Sequence, residues 1–85
     1  MDNIIITVTD IPKSYLYDIE VPTDIKTDKL KGDIVEVLNG YNPNLSLNSS
    51  SIQLLCNRTG KQIMPEETFS EAGIWAGDYI TIIEV

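Results

Sequence analysis

The side chains that could do chemistry are thirteen acids, six bases and one cysteine, and the sequence has no histidine. Without histidine, the chain lacks the commonest general base and the commonest metal ligand. Cys56 therefore has no imidazole to activate it as a nucleophile. The acids are scattered, and no spacing matches a calcium-binding loop. We expect no catalytic residue, no metal, no cofactor and no small-molecule substrate.

The glycines and the paired acids also favour binding over catalysis. The five glycines fall singly, so the sequence has no phosphate-binding loop. Glu66 and Glu67 stand next to a proline, in a pattern typical of a solvated turn. We therefore expect that the protein is not an enzyme and that it acts through contacts with another protein.

Length and charge narrow the class of protein further. The 85 residues are enough for one small domain, residues 1–85, and the net charge of −7 repels phosphate backbones and anionic head groups. We therefore expect neither nucleic acid nor membrane as a partner. The apolar run at residues 4–6 is too short for a signal or a spanning helix, which favours a cytoplasmic protein. Cys56 has no disulfide partner, so packing alone must hold the fold.

Alternating side chains predict five strands. The first two, over residues 4–9 and 15–21, are joined by turn residues and form a hairpin. The others cover residues 52–57, a short stretch around 62–64, and residues 79–84. Pro22 and Pro65 end the second and the fourth strand.

Residues 27–40 have the period of an amphipathic helix. Thr27 is expected to cap its N-terminus, and Gly40 to stop it in a left-handed conformation. Val35 falls at the edge of the polar face and is a weak candidate for surface contact. The apolar stripe expected to pack on the sheet consists of Leu30, Ile34, Val37, Leu38 and Tyr41.

Two connections between the predicted elements contain further sequence patterns. Residues 41–51 contain Pro43 with several serines and asparagines, a composition that predicts the most mobile segment of the chain. The spacing of Thr68 and Glu71 is that of a capping box, which predicts one short helical turn that buries Phe69.

The order strand, strand, helix, strand, strand, short helix, strand is that of the β-grasp. The segments Gly60-Lys61-Gln62-Ile63, Thr68-Phe69-Ser70-Glu71 with Ile74, and Ile80-Thr81-Ile82-Ile83 resemble the second half of ubiquitin, and Glu20-Val21-Pro22-Thr23-Asp24 resembles its first half. The resemblance implies an α+β, ubiquitin-like β-grasp fold with a mixed, curved sheet of four to five strands packed on one helix.

The end of the sequence resembles a narrower group. Gly73-Ile74, Gly77-Asp78 and the alternating Ile80 and Ile82 are similar to the small bacterial ubiquitin-like proteins of the YukD type. Those proteins accompany type VII, or WXG-type, secretion systems in Gram-positive bacteria. The resemblance implies a non-conjugated ubiquitin-like adaptor, an accessory or regulatory component that docks on a cytoplasmic part of the secretion machine.

Two other functions stay open. A small β-grasp accessory subunit of a multicomponent monooxygenase would contribute surface and no catalytic group. A sulfur carrier or protein modifier would need a Gly-Gly tail, whereas this sequence ends at Val85. Genes for a WXG-type substrate and an FtsK-like ATPase nearby would favour secretion, and genes for oxygenase subunits would favour the first alternative.

The resemblance also places the last strand between the first and the third, which assigns the two faces of the sheet. The face away from the helix would carry an apolar patch of Ile5, Leu55 and Ile83, with strands about 5 Å apart. Thr7, Asn57 and Thr81 would form its polar rim, and such a patch is typical of an interaction surface. We expect it to be the principal protein-binding site. Trp75, in the loop before the last strand, is a further candidate contact.

Overall fold

One helix packs on a mixed sheet of five strands in the computed structural model, which describes residues 2–85. The strands are β1 (Asn3–Asp10), β2 (Leu16–Pro22), β3 (Ile52–Cys56), β4 (Lys61–Ile63) and β5 (Tyr79–Glu84), and the helix is α1 (Thr27–Tyr41). Their order across the sheet is β2-β1-β5-β3-β4. The central pair, β1 and β5, is parallel, and all other pairs are antiparallel. The predicted α+β architecture and strand order are confirmed.

The core lies between α1 and one face of the sheet. Alternate residues of each central strand are buried there, as the period of two requires. Leu30, Ile34 and Leu38 of the helix are at most 1% exposed. The strand residues predicted to face the helix are buried, apart from the partly buried Ile4; the buried ones are Ile6, Leu54, Cys56, Ile80 and Ile82.

Both predicted ends of the helix are corrected by the structure. Thr27 is fully buried inside the first turn, and both its backbone N–H and its Oγ1 donate to the carbonyl of Glu67, at 2.8 and 2.7 Å. It therefore ties the helix to the segment after β4 instead of capping it. Gly40 is helical, and the helix continues to Tyr41, after which the extended Asn42 donates its N–H to Leu38.

The buried stripe of the helix is rotated relative to the predicted one. Val35 is 8% exposed, whereas Val37 and Tyr41 are 41% and 58% exposed. The cause is the segment after the helix: Leu47 is buried in the same core, and its backbone N–H and carbonyl both bond to the amide of Asn39, one turn beyond Val35. Val35 and Leu47 thus belong to one core, whereas Val37 and Tyr41 are at the surface.

The connection between α1 and β3 has more fixed contacts than its composition indicated. It contains two short 3₁₀ turns, Pro43–Leu45 and Ser49–Ser51. Asn42 and Asn48 each accept a hydrogen bond from the N–H two residues later, at 3.2 and 3.0 Å. Asparagine side chains of this kind replace the backbone partners that a loop lacks.

The predicted capping box after β4 is confirmed in its bonds. The N–H of Thr68 donates to Glu71 at 2.9 Å, and the N–H of Glu71 donates to Thr68 Oγ1 at 3.0 Å. Phe69, between them, is completely buried. The structure has turns here instead of a helix, and Gly73, with φ of 73°, reverses the chain. The left-handed conformation explains why glycine occupies this position.

Tyr15, just before β2, gives a prediction for alkaline pH. Burial, assisted by the nearby charges of Asp10 and Glu84, raises its pKa from 10.0 to about 12. The unfolded chain therefore loses this proton at lower pH than the folded chain, so the stabilisation is complete below pH 10 and is lost as the pH rises towards 12. Urea unfolding between these values should show a steeper loss of stability for the wild type than for Tyr15→Phe. Equal slopes would contradict this assignment.

Candidate functional site

The outer face of the sheet, away from α1, carries the residues predicted to bind a partner, but they do not form one patch. Thr7 pairs with Tyr79 and Asp10 with Ile82, and the N–H of Gly77 donates to the carbonyl of Ile5 at 2.7 Å. Ile5 therefore lies beside Gly77, at the other end of the β1–β5 pair from Ile83. The expectation of a continuous patch was wrong. Side chains on adjacent strands are neighbours only where the register between the strands places them opposite each other.

The middle of the outer face carries polar side chains that are buried. Thr9 is completely buried and Thr81 is 7% exposed. Thr81 donates its hydroxyl to Asn57 Oδ1 at 2.5 Å, and Thr9 donates to the carbonyl of Tyr15 at 2.7 Å. This hydrogen bond from Thr81 holds the side chain of Asn57 in place, and Asn57 itself is exposed.

The aliphatic end of the outer face contains residues that the sequence reading missed. Leu55 pairs with Thr81 and is partly exposed, as is Ile83. Ile11 follows directly after the Asp10–Ile82 pair and is 68% exposed, and Leu16 is 55% exposed. Ile11 belongs to the residues between the first two predicted strands, whose types indicated only a turn, and Leu16 belongs to the second predicted strand.

The opposite end of the outer face is built around Trp75. Its side chain is 63% exposed, and the guanidinium carbon of Arg58 lies 3.7 Å from the centre of its ring. Arg58 is held in turn by Asp78, to which Nε and Nη2 donate at 2.9 and 3.0 Å, and by the carbonyl of Gly73 at 2.6 Å. A cation that stacks on an indole stabilises it in one position.

Asp78 is the anchor of this arrangement. It is 7% exposed, and besides Arg58 it accepts the N–H of Trp75 at 2.8 Å and the thiol of Cys56 at 3.8 Å. The hydrogen bonds from Arg58 are the main reason why the pKa of Asp78 lies below its usual value, and the same bonds raise the pKa of Arg58. Both groups stay charged at neutral pH, so neither is suited to proton transfer.

We name this end the tryptophan surface. An open hollow of about 390 Å³ adjoins it, reached also by Lys13 from the turn between β1 and β2. Ile5, Asn57 and Trp75 were predicted as contacts, whereas Leu55, Thr81 and Ile83 lie further along the strands. The surface consists of Ile5, Asn57, Arg58, Trp75 and Tyr79.

Arg58 was not among the contacts predicted from the sequence. The salt bridge between Arg58 and Asp78 joins positions 20 residues apart, and only the pairing of β3 with β5 brings them together. Within residues 2–85, no three acidic or cysteine side chains are grouped as a metal site would require. In the same range, α1 is neither long nor apolar enough to cross a membrane.

Comparisons with known proteins relate this geometry to solved structures. No protein-family model matches the sequence, and no curated protein matches it. The N-terminal ubiquitin-like domain in the 4931431F19Rik protein superposes with a TM-score of 0.75 at 16% identity, over 98% of this chain and 75% of that one. The ubiquitin-like domain of the Arabidopsis thaliana protein At2g32350 gives 0.76 at 21% identity, over 99% and 79%. The chain therefore has the ubiquitin-like β-grasp fold.

Proposed function

We propose that this chain is a ubiquitin-like adaptor that binds a protein partner through the tryptophan surface and has no catalytic role. The observation that carries the proposal is the exposed ring of Trp75, already held in place by Arg58. A side chain that is ordered before binding loses little conformational entropy on contact. Tryptophan and arginine are also the residues most enriched at binding hot spots.

The finer proposal is that the partner is a cytoplasmic component of a bacterial type VII secretion machine. It rests on the YukD-type ending, Gly73-Ile74 followed by Gly77-Asp78. In the structure, Gly73 and Gly77 take φ of 73° and 85°, and Asp78 holds Arg58 and Trp75. Gly73 and Asp78, two residues that carry the resemblance, thus hold Arg58 and Trp75 in place, and this supports the finer proposal.

Trp75→Ala tests this proposal. We expect the variant to keep its fold and to bind the partner about tenfold more weakly or worse, because it removes a central aromatic anchor. Tagged wild type and variant would be used to co-purify secretion components from Gram-positive cells that express a type VII system. The affinity for the purified component would then be measured by calorimetry.

Two further variants make this test specific. Met64→Ala removes an exposed apolar side chain outside the tryptophan surface and should bind like the wild type. Ile83→Asp probes the aliphatic end of the outer face. Loss of binding in Ile83→Asp with full binding in Trp75→Ala would contradict the tryptophan surface, and co-purification of oxygenase subunits would contradict the secretion role.

A further inference from the structure

The open hollow beside the tryptophan surface offers a partner mainly hydrogen-bond donors. Because this inference concerns what the partner presents there, it rests on the proposed function. The hollow measures about 390 Å³ and is open to solvent, whereas small molecules usually bind in pockets that bury most of their surface. It therefore suits a single side chain of a partner protein. Its lining consists of Lys13, Asn57, Arg58, Gly77, Asp78 and Tyr79.

Asp78 is the one carboxylate in this lining, and the protein itself already occupies it. Nε of Arg58 donates to Oδ1 at 2.9 Å, and Nη2 of Arg58 and the backbone N–H of Trp75 donate to Oδ2 at 3.0 and 2.8 Å. The thiol of Cys56 approaches Oδ2 as well, at 3.8 Å. Asp78 is 7% exposed, so a partner finds no free acceptor in its carboxylate.

Two side chains of the lining keep donors that the fold does not use. The hydroxyl of Thr81 donates to Oδ1 of Asn57 at 2.5 Å, and within residues 2–85 the Nδ2 of Asn57 has no acceptor. The bonds from Arg58 to Asp78 and to the carbonyl of Gly73 use Nε and Nη2, so Nη1 remains. An acceptor supplied by a partner would find both donors already positioned.

Lys13, in the turn between β1 and β2, has a conformation that glycine adopts more easily. Its φ of 56° lies in the left-handed region, which a residue with a Cβ disfavours. The turn is fixed without the lysine side chain, since the N–H of Lys13 donates to the carbonyl of Asp10 at 3.1 Å and the N–H of Ser14 donates to Oδ1 of Asp10 at 2.7 Å. A lysine in this conformation points to a role for its side chain outside the turn.

The charge of the lining selects the kind of acceptor. Arg58 is neutralised by Asp78, whereas Lys13 is exposed and forms no salt bridge within residues 2–85. The lining therefore has one uncompensated positive charge, in a protein whose net charge is −7. A carboxylate carries one negative charge and matches it. A phosphate group carries about −1.5 to −2 and would be repelled more strongly by the remaining acids.

We propose that the partner of the tryptophan surface inserts an aspartate or glutamate side chain into this hollow. Its carboxylate accepts hydrogen bonds from the ammonium of Lys13, from Nδ2 of Asn57 and from Nη1 of Arg58. The residues next to this acid are apolar and cover Trp75 and Ile5, which are 63% and 56% exposed. Hydrogen bonds to a charged acceptor are stronger than neutral ones and fix the orientation of the partner.

The peptide acetyl-Leu-Glu-Leu-amide is the probe, titrated at millimolar concentration into the ¹⁵N-labelled protein. We expect saturable shift changes of the backbone amides of residues 13, 57–58 and 75–79, of the side-chain amide of Asn57 and of the indole N–H of Trp75. The neutral peptide acetyl-Leu-Gln-Leu-amide has the same shape and should bind about threefold more weakly, because it lacks the charge. Inorganic phosphate should cause smaller shift changes than the glutamate peptide at equal concentration and pH.

Lys13→Met tests the charge on which the proposal depends. It keeps the length of the side chain and should weaken binding of the glutamate peptide about two- to fivefold, the effect of one partly exposed ion pair. Binding of the glutamine peptide should change less, so the difference between the two peptides should shrink. Lys13→Arg keeps the charge and should restore the preference for glutamate. Lys29→Met changes the net charge equally at an exposed position of α1 and should behave like the wild type.

The outcomes separate this inference from the proposed function. Absence of peptide binding, equal binding of the two peptides, an unchanged affinity in Lys13→Met, or tighter binding of inorganic phosphate than of the glutamate peptide would each overturn the inference alone. In the co-purification of secretion components, Lys13→Met should recover less of the partner than the wild type, and Lys13→Arg should recover as much. Full recovery by Trp75→Ala would overturn the proposed function and the inference that rests on it.

Discussion

Replacing Asp78 with alanine should lower the free energy of unfolding by about 2–4 kcal/mol. The carboxylate is 7% exposed and accepts hydrogen bonds from Arg58, Trp75 and Cys56, so its removal leaves several donors without their acceptor. An unfilled donor in a buried site costs more than the bond itself contributes. Thermal unfolding should move down by about 10 °C or more, since 1 kcal/mol corresponds to about 4–8 °C in a domain of this size.

A matched control for Asp78→Ala is Glu71→Ala. Glu71 also joins a base, Lys26, at 3.7 Å, but both side chains are about 60% exposed. An exposed pair contributes little, and the capping hydrogen bond from the N–H of Thr68 contributes about 0.5–2 kcal/mol, so this variant should change thermal unfolding less. Equal effects of the two substitutions would show that Asp78 does not anchor the tryptophan surface.

The Asp78 carboxylate should also make the free energy of unfolding depend on pH. Hydrogen bonds from Arg58 hold the pKa of Asp78 below its usual 3.8 in the folded state. Its contribution to stability is therefore complete above pH 4 and is lost as the pH falls through the lower folded value. The difference in unfolding free energy between wild type and Asp78→Asn should be constant from pH 7 to 5 and shrink below pH 4.

Phe69→Ala should have the largest effect of any single substitution proposed, a loss of about 3–5 kcal/mol. The ring is completely buried, and the domain has a single core to which it belongs. Small domains have about 0.05–0.15 kcal/mol of stability per residue, so this loss removes a large part of the total. Urea unfolding followed by circular dichroism would measure it.

Two comparisons make the Phe69 prediction specific. Phe69→Leu keeps most of the apolar volume and should lose clearly less stability than Phe69→Ala. Met64→Ala removes a side chain that is 43% exposed and should cost less than either. If Phe69→Ala unfolded at the same urea concentration as Met64→Ala, the burial of the ring could not be a main source of stability.

The fold was predictable because local patterns agree with the global architecture. Ile6, Leu54 and Ile80 alternate with outward residues as a sheet requires, and the helix shows its own period. The helix ends were not predictable, since Thr27 bonds to Glu67, 40 residues away. The rotation of the buried stripe towards Val35 depends on Leu47, whose segment looked like an open loop in the sequence.

The candidate site was predictable only in part, for a geometric reason. The parity of Ile5 and Ile83 along their strands places both on the outer face, but parity does not fix the register between β1 and β5. Trp75 stood out by residue type alone. Its contact with Arg58 depends on the pairing of β3 with β5, which brings Arg58 beside Asp78, and residues 73–78 alone do not indicate that pairing.

The parallel pairing of β1 with β5 has a consequence for synthesis on the ribosome. Thr7 pairs with Tyr79 and Asp10 with Ile82, so the centre of the sheet cannot form until residues 79–82 have emerged. Until then, β1 has β2 on one side and an open edge on the other. Closing a contact of this sequence separation is slow, so the open edge of β1 stays available for wrong pairing until β5 arrives.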